Sequence, residues 1–216
     1  MSSTFKIGFI DYYLDEFHAN RYPAWIKEAS GGAMEAAFAY GMKDKDGGMT
    51  NAEWSRTYGV ELLDTIEEVV RRSDGLIVLS PDNPEMHETL AELPLRSGKP
   101  TYIDKTFAPD RAAAERLFAL AERCGTPMYS ASALRYAAEY EELAGSEPTV
   151  VSSWGPGQFE TYAIHQLEPI VALLGSRPER LMAVGPPAAV TQLVLVVGAF
   201  LALTYAYVVS DFSVEN

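Results

Sequence analysis

The sequence predicts an α/β protein, with a parallel sheet over residues 1–130 and a partial α+β unit over residues 131–216. Two observations carry this. Short apolar runs alternate with amphipathic segments up to about Ser130, the signature of strands joined by crossover helices. Beyond Ala131 the rhythm changes to a helix set among longer β-branched and aromatic runs.

Phe5 to Ile10 reads as the first strand, Asp15 to Ala29 as the first helix and Met34 to Tyr40 as the second strand. Asp44 to Gly48 is a polar loop, and Asn51 begins a short helix through Arg56. Val60 to Leu63 is the third strand. Thr65 then caps a helix to Arg72, with Glu68 in capping-box position. Leu76 to Leu79 is a fourth strand, halted by Ser80-Pro81-Asp82-Asn83-Pro84. A helix over Glu85 to Arg96, a strand over Thr101 to Ile103 and the pair Asp104-Lys105 follow. Pro109 to Arg123 is amphipathic, with proline in its first turn and Gly125 after its end. Pro127 to Ser130 completes six strands. Farther on, Tyr136 to Leu143 reads as helical, Thr149 to Trp154 as a strand, and Tyr162 to Leu174 as a helix closed by Gly175.

Composition narrows the function classes. With 48% hydrophobic and 22% charged residues the chain is an ordinary globular protein. A formal charge of −13 argues against a nucleic-acid surface, although a local pocket could hold a nucleotide phosphate. The single cysteine, Cys124, suits a reducing cytoplasm and forms no internal disulfide or cysteine zinc cluster. MSSTFKIGFIDYY lacks the apolar core of a secretory leader. Leu181 to Ser210 carries no charge, so Val190 to Val209 is long enough for a membrane anchor. Thr191, Gln192, Gly198, Thr204 and two tyrosines interrupt it, and buried strands turning near Gly198 are the preferred reading.

Ser80-Pro81, Asn83, His87, Gly98-Lys99 and Asp104-Lys105-Thr106 stand in the order and spacing of motifs in one family. Ser132-Ala133-Leu134-Arg135-Tyr136 and Tyr162-Ala163-Ile164-His165 extend the match. The chain resembles the Gfo/Idh/MocA oxidoreductases, NAD(P)-dependent dehydrogenases of sugars and inositols. That resemblance implies a Rossmann-like parallel sheet domain followed by an abbreviated second domain with a mixed or antiparallel sheet. It further implies NAD or NADP as cofactor, a sugar-like small-molecule substrate, and a homo-oligomer formed through the second sheet. By the same resemblance Lys105 and His165 are the catalytic pair. Lys105 would stabilise a developing alkoxide and His165 would take or relay the hydroxyl proton. The cofactor would meet Asp11, Tyr12, Tyr13, Ser80, Pro81, Asn83, His87 and Asp104, and the substrate Arg135 and Tyr162.

Each assignment has a structural counterpart. Lys105 could be a solvated strand end, and His165 a half-buried helix histidine bonded to backbone. Arg135 could pair with Glu139 one turn on, and His87 could pin the turn before it. Trp25 and Trp54 are expected to pack against the sheet. Asp11, His18, Asp82 and Asp104 could converge on a divalent metal, although their spacing is not diagnostic and no metal is expected.

Two departures from the family pattern weigh on the activity. The catalytic aspartate expected four residues before the histidine is Thr161. The glycine-rich turn after the first strand is missing, since no glycine occurs between Gly8 and Gly31. Asp11, Asp15 and Glu16 would instead repel phosphate oxygens. A non-catalytic descendant, acting as a ligand-binding or assembly module, is therefore the competing reading.

Overall fold

The computed structural model describes residues 3–143, 150–155, 159–175, 179–184, 192–197 and 200–206. The chain divides into two compact units, Met1–Ser130 and Ala131–Asn216.

In the first unit the elements run in chain order as β1 (Phe5–Asp11), α1 (Phe17–Ala29), β2 (Met34–Gly41), α2 (Asn51–Tyr58), β3 (Glu61–Leu62), α3 (Ile66–Arg72), β4 (Gly75–Val78), α4 (His87–Arg96), β5 (Thr101–Ile103), α5 (Arg111–Cys124) and β6 (Met128–Tyr129). The strands form one parallel sheet in the order β3-β2-β1-β4-β5-β6. Every β-to-β connection crosses over through a helix, as parallel strands require. Strand order reverses beside β1, so the carboxyl ends of β1, β4 and β5 lie side by side at the switch point where such sheets bind ligands. Apolar clusters hold the sheet, one around Ile10, Val78, Leu90, Leu95 and Ile103, the other around Phe9, Leu14, Trp54 and Leu79.

Several local expectations change. Asp110 rather than Pro109 begins α5: its carboxylate accepts from the Ala113 amide, which leaves the proline outside the helix. Thr65 accepts from the Glu68 amide as expected, while the full reciprocal capping box belongs to Thr50 and Glu53 on α2. Trp54 is fully buried and donates to Asn20 Oδ1 at 2.8 Å. Trp25 is 47% exposed; it leans on Phe17 and Tyr22 along the outer side of α1 instead of the sheet. Lys99 places its ammonium on the Val70, Arg71 and Ser73 carbonyls, so this lysine serves to close α3.

The second unit contains β7 (Val150–Gly155), α6 (Phe159–Leu174), β8 (Arg180–Val184), β9 (Gln192–Val197) and β10 (Phe200–Ala206). The sheet order is β7-β10-β9-β8, with β7 and β10 parallel and the other pairs antiparallel. The uncharged stretch therefore contains paired strands. Gly198, where a turn was expected, and residues 207–216 lie outside the described residues. Among the described residues no helix is long and apolar enough to cross a membrane. Residues 133–136 and 138–143 form short 3-10 segments instead of one helix.

Candidate functional site

The carboxyl edge of the first sheet gathers most of the expected side chains. β1 does not open into a glycine turn. Its pairing with β2 continues past Asp11, through Met42 N–H to the Asp11 carbonyl and Lys43 N–H to the Tyr12 carbonyl, both 3.0 Å. Leu14 then turns inward and is fully buried, pinned where its amide donates to Asn51 Oδ1. The Asn51 amide nitrogen donates to the Gly41 and Lys43 carbonyls, tying the two loops together. No pattern in the chain marked Asn51 for this role beyond its place at the start of a helix.

Glu16 caps α1 in an unusual way. Its carboxylate accepts the amide of His18 at 2.7 Å and that of Ala19, and lies 3.2 Å from His18 Nδ1. The residue is only 3% exposed. The first-turn amides of a helix form an anion seat, and here the chain's own carboxylate fills it. Sequence reading placed Glu16 among the repelling acids but missed this contact, because a glutamate before a helix is not an ordinary cap.

Asp11 is wholly buried next to it. Oδ1 accepts from the Tyr12 amide at 2.7 Å, and among the described residues no donor reaches Oδ2. Burial, and then the Glu16 carboxylate, push the Asp11 acid well above the usual carboxylate range. Tyr12 and Tyr13 lie outside this pair, with Lys43 over the first ring and Lys45 over the second. Tyr13 donates to Asp82 at 3.2 Å; burial, followed by the Asp82 charge, raises its phenol to about 12.

After β4, Ser80 adopts a left-handed backbone (φ 79°), an uncommon conformation for a residue with a Cβ. Its hydroxyl donates to the Asn83 carbonyl, and the Asn83 amide donates back to the Ser80 carbonyl. Pro81 is buried within this turn and Asn83 reaches on to Glu85. His87 is fully buried, with one ring nitrogen on the Leu79 carbonyl and the other on that of Phe107. It braces the segments before Ser80 and after Lys105.

After β5, Asp104 is 1% exposed and Lys105 9%. Asp104 Oδ1 accepts from the Tyr102 phenol at 3.0 Å, and Oδ2 lies 3.5 Å from His18 Nδ1 and 3.8 Å from Lys105 Nζ. One carboxylate thus faces both the lysine and His18, which the sequence groups with Asp104 only as a possible metal set. Burial and the Asp104 charge hold the Tyr102 phenol well above its ordinary range. Lys105 is an almost enclosed ammonium at the sheet edge, not a solvated strand end. Asp82 bonds Tyr13 instead of joining His18 and Asp104. Among the described residues no group of three or more His, Cys, Asp or Glu is placed to hold a metal.

In the second unit, His165 Nδ1 lies 2.6 Å from Ser132 Oγ, and the Ser132 hydroxyl also accepts from the Leu134 amide. Tyr162 packs its ring 5.6 Å from that of His165. Arg135 pairs with Glu168 at 3.2 Å and not with Glu139. The reason is local: Ala137 is extended, so residues 135 and 139 do not share a continuous helix.

No protein-family model and no curated protein sequence matches the chain. Solved structures do. GenD2 from gentamicin A biosynthesis, determined in complex with NAD, is 13% identical with a TM-score of 0.74, covering 98% of this chain and 68% of its own. The UDP-N-acetylglucosamine 3-dehydrogenase GnnA from Acidithiobacillus ferrooxidans is 15% identical with a TM-score of 0.71, covering 97% and 69%. The dehydrogenase MviM from Clostridium difficile is 16% identical with a TM-score of 0.71, covering 97% and 72%. The fold is that of the Gfo/Idh/MocA-type dehydrogenases. At these identities the likeness establishes architecture alone.

A Gfo/Idh/MocA-type fold implies a dinucleotide whose pyrophosphate rests on the first turn of α1. The residues present here do not fit that group. The amides of His18 and Ala19 are already bonded to Glu16, Leu14 fills the turn, and Asp11 adds a second buried acid.

Proposed function

We propose that the chain binds a neutral, hydroxyl-bearing small molecule of the sugar-like class at the carboxyl edge of its parallel sheet. On this reading it is a descendant of the dehydrogenase fold that no longer seats a dinucleotide at the first turn. The observation that carries it is Lys105, a nearly buried ammonium held 3.8 Å from Asp104 beside a turn rich in carboxylates. The ammonium donates to a ligand oxygen, and the surrounding acids disfavour an anionic ligand. Its edge position supports this role, since open parallel sheets bind ligands there.

A second reading is an NAD- or NADP-dependent oxidoreductase acting at a hydroxyl or carbonyl carbon of a sugar-like molecule. The dehydrogenase neighbours and the place of Lys105 favour it. It assigns Lys105 to the substrate oxygen and His165 to its proton, and it requires the pyrophosphate to be held away from α1. The negative charge and the lone Cys124 support a cytoplasmic protein without a nucleic-acid partner. Among the described residues β7 and β8 are the edge strands of the second sheet, which supports association of two copies.

The test is calorimetry with a panel of neutral hexoses and inositols, on wild type and Lys105→Ala. We expect saturable binding by at least one polyol and a loss of tenfold or more in the variant, about 1.4 kcal/mol. Binding unchanged by Lys105→Ala, or no polyol binding at all, would overturn the assignment.

A further inference from the structure

We propose that Glu16 is a built-in anion occupying the seat that a phosphate would take at the start of α1, so that replacing this one side chain frees two first-turn amides for an external anion while Leu14 and Asp11 still line the turn. The inference rests on the reading above, in which no dinucleotide is seated there, and adds why. A side-chain cap usually satisfies one orphan amide from a short Ser, Thr, Asp or Asn. Glu16 instead folds back over two amides, those of His18 and Ala19, and draws the His18 ring to the same oxygen at 3.2 Å. Two backbone amides and a nearby imidazole are the donor set that a phosphoryl oxygen would meet.

The enclosure supports the same conclusion. Glu16 is 3% exposed, so enclosure as well as the two amides holds its carboxylate in the seat. The α1 helix runs for 13 residues, long enough for its dipole to favour an anion at this end. The carboxylate therefore does the electrostatic work that a bound phosphate does in a dinucleotide fold. It does so permanently and from within the chain.

The experiment titrates inorganic pyrophosphate into the full chain as wild type, Glu16→Ser and Glu16→Gln, by calorimetry and by melting temperature. Serine keeps an N-cap acceptor and empties the seat; glutamine keeps the seat filled and removes the charge. We expect no saturable binding by wild type or Glu16→Gln. For Glu16→Ser we expect at least tenfold tighter binding and a melting temperature that rises with pyrophosphate. A folded Glu16→Ser that binds no better than wild type would overturn the inference, and so would an equal gain in Glu16→Gln, which would make repulsion the whole effect. Wild type that takes NADH tightly would instead defeat the reading of the preceding subsection. The two failures are thus separable.

Discussion

The loop after β1 and the segment after β5 sit at the same edge of one sheet, and they bury charge in opposite ways. After β1, Glu16 and Asp11 are enclosed by their own chain: one is bonded to helix amides, the other is forced toward its protonated form. After β5, Asp104 is enclosed but faces two basic groups, His18 and Lys105. The first region has consumed its donors internally. The second retains an ammonium backed by an acid. Fold likeness alone would treat both as parts of one cofactor site, yet on the proposed reading the ligand is met by the second.

The largest expected effect comes from the brace of the second region. His87→Ala removes the ring's contacts with the Leu79 and Phe107 carbonyls, one of which takes the N–H of a neutral imidazole, and leaves a cavity, costing about 2–4 kcal/mol in urea unfolding. A loss below about 1 kcal/mol would mean that the Ser80 and Lys105 segments hold their geometry without it.

A smaller effect, opposite in sign, is expected in the first region. The folded Asp11 acid titrates well above its ordinary 3.8. The native state therefore holds this proton more tightly than the unfolded chain does. The associated stability is complete below the ordinary carboxylate value and is lost as pH rises through the raised one. Asp11→Asn keeps the acceptor for the Tyr12 amide and removes that loss. It should stabilise the protein by about 1–2 kcal/mol at neutral pH, with the difference vanishing on acidification below 3.8. A destabilised variant at neutral pH would show that Asp11 is ionised and paired in the native state.

Much of this contrast was legible in the chain. The six strands and their crossover helices follow from short apolar runs bounded by turn residues, and Lys105 was found because its strand is only Thr101–Ile103. The missing glycines were equally plain. The way Glu16 replaces a phosphate was not, because the contact depends on where a long side chain folds, which no periodicity encodes. The sequence groups His18 with Asp104 only within a possible metal set whose spacing is not diagnostic. Asp104 is distant in sequence and meets His18 only through the β1-β4-β5 order. The alternative pairing of Arg135 with Glu139 fails because the backbone is extended at Ala137, where a helical pattern would have to continue. Trp25 and Trp54 look alike in sequence, and only the packing of α1 and α2 separates the exposed ring from the buried one.

The most direct test of the central claim is titration of the wild-type chain with NADH and with NADPH, followed by calorimetry and nicotinamide fluorescence. With the α1 amides occupied by Glu16, neither nucleotide should show saturable binding up to millimolar concentration. Micromolar affinity for either one would contradict the account.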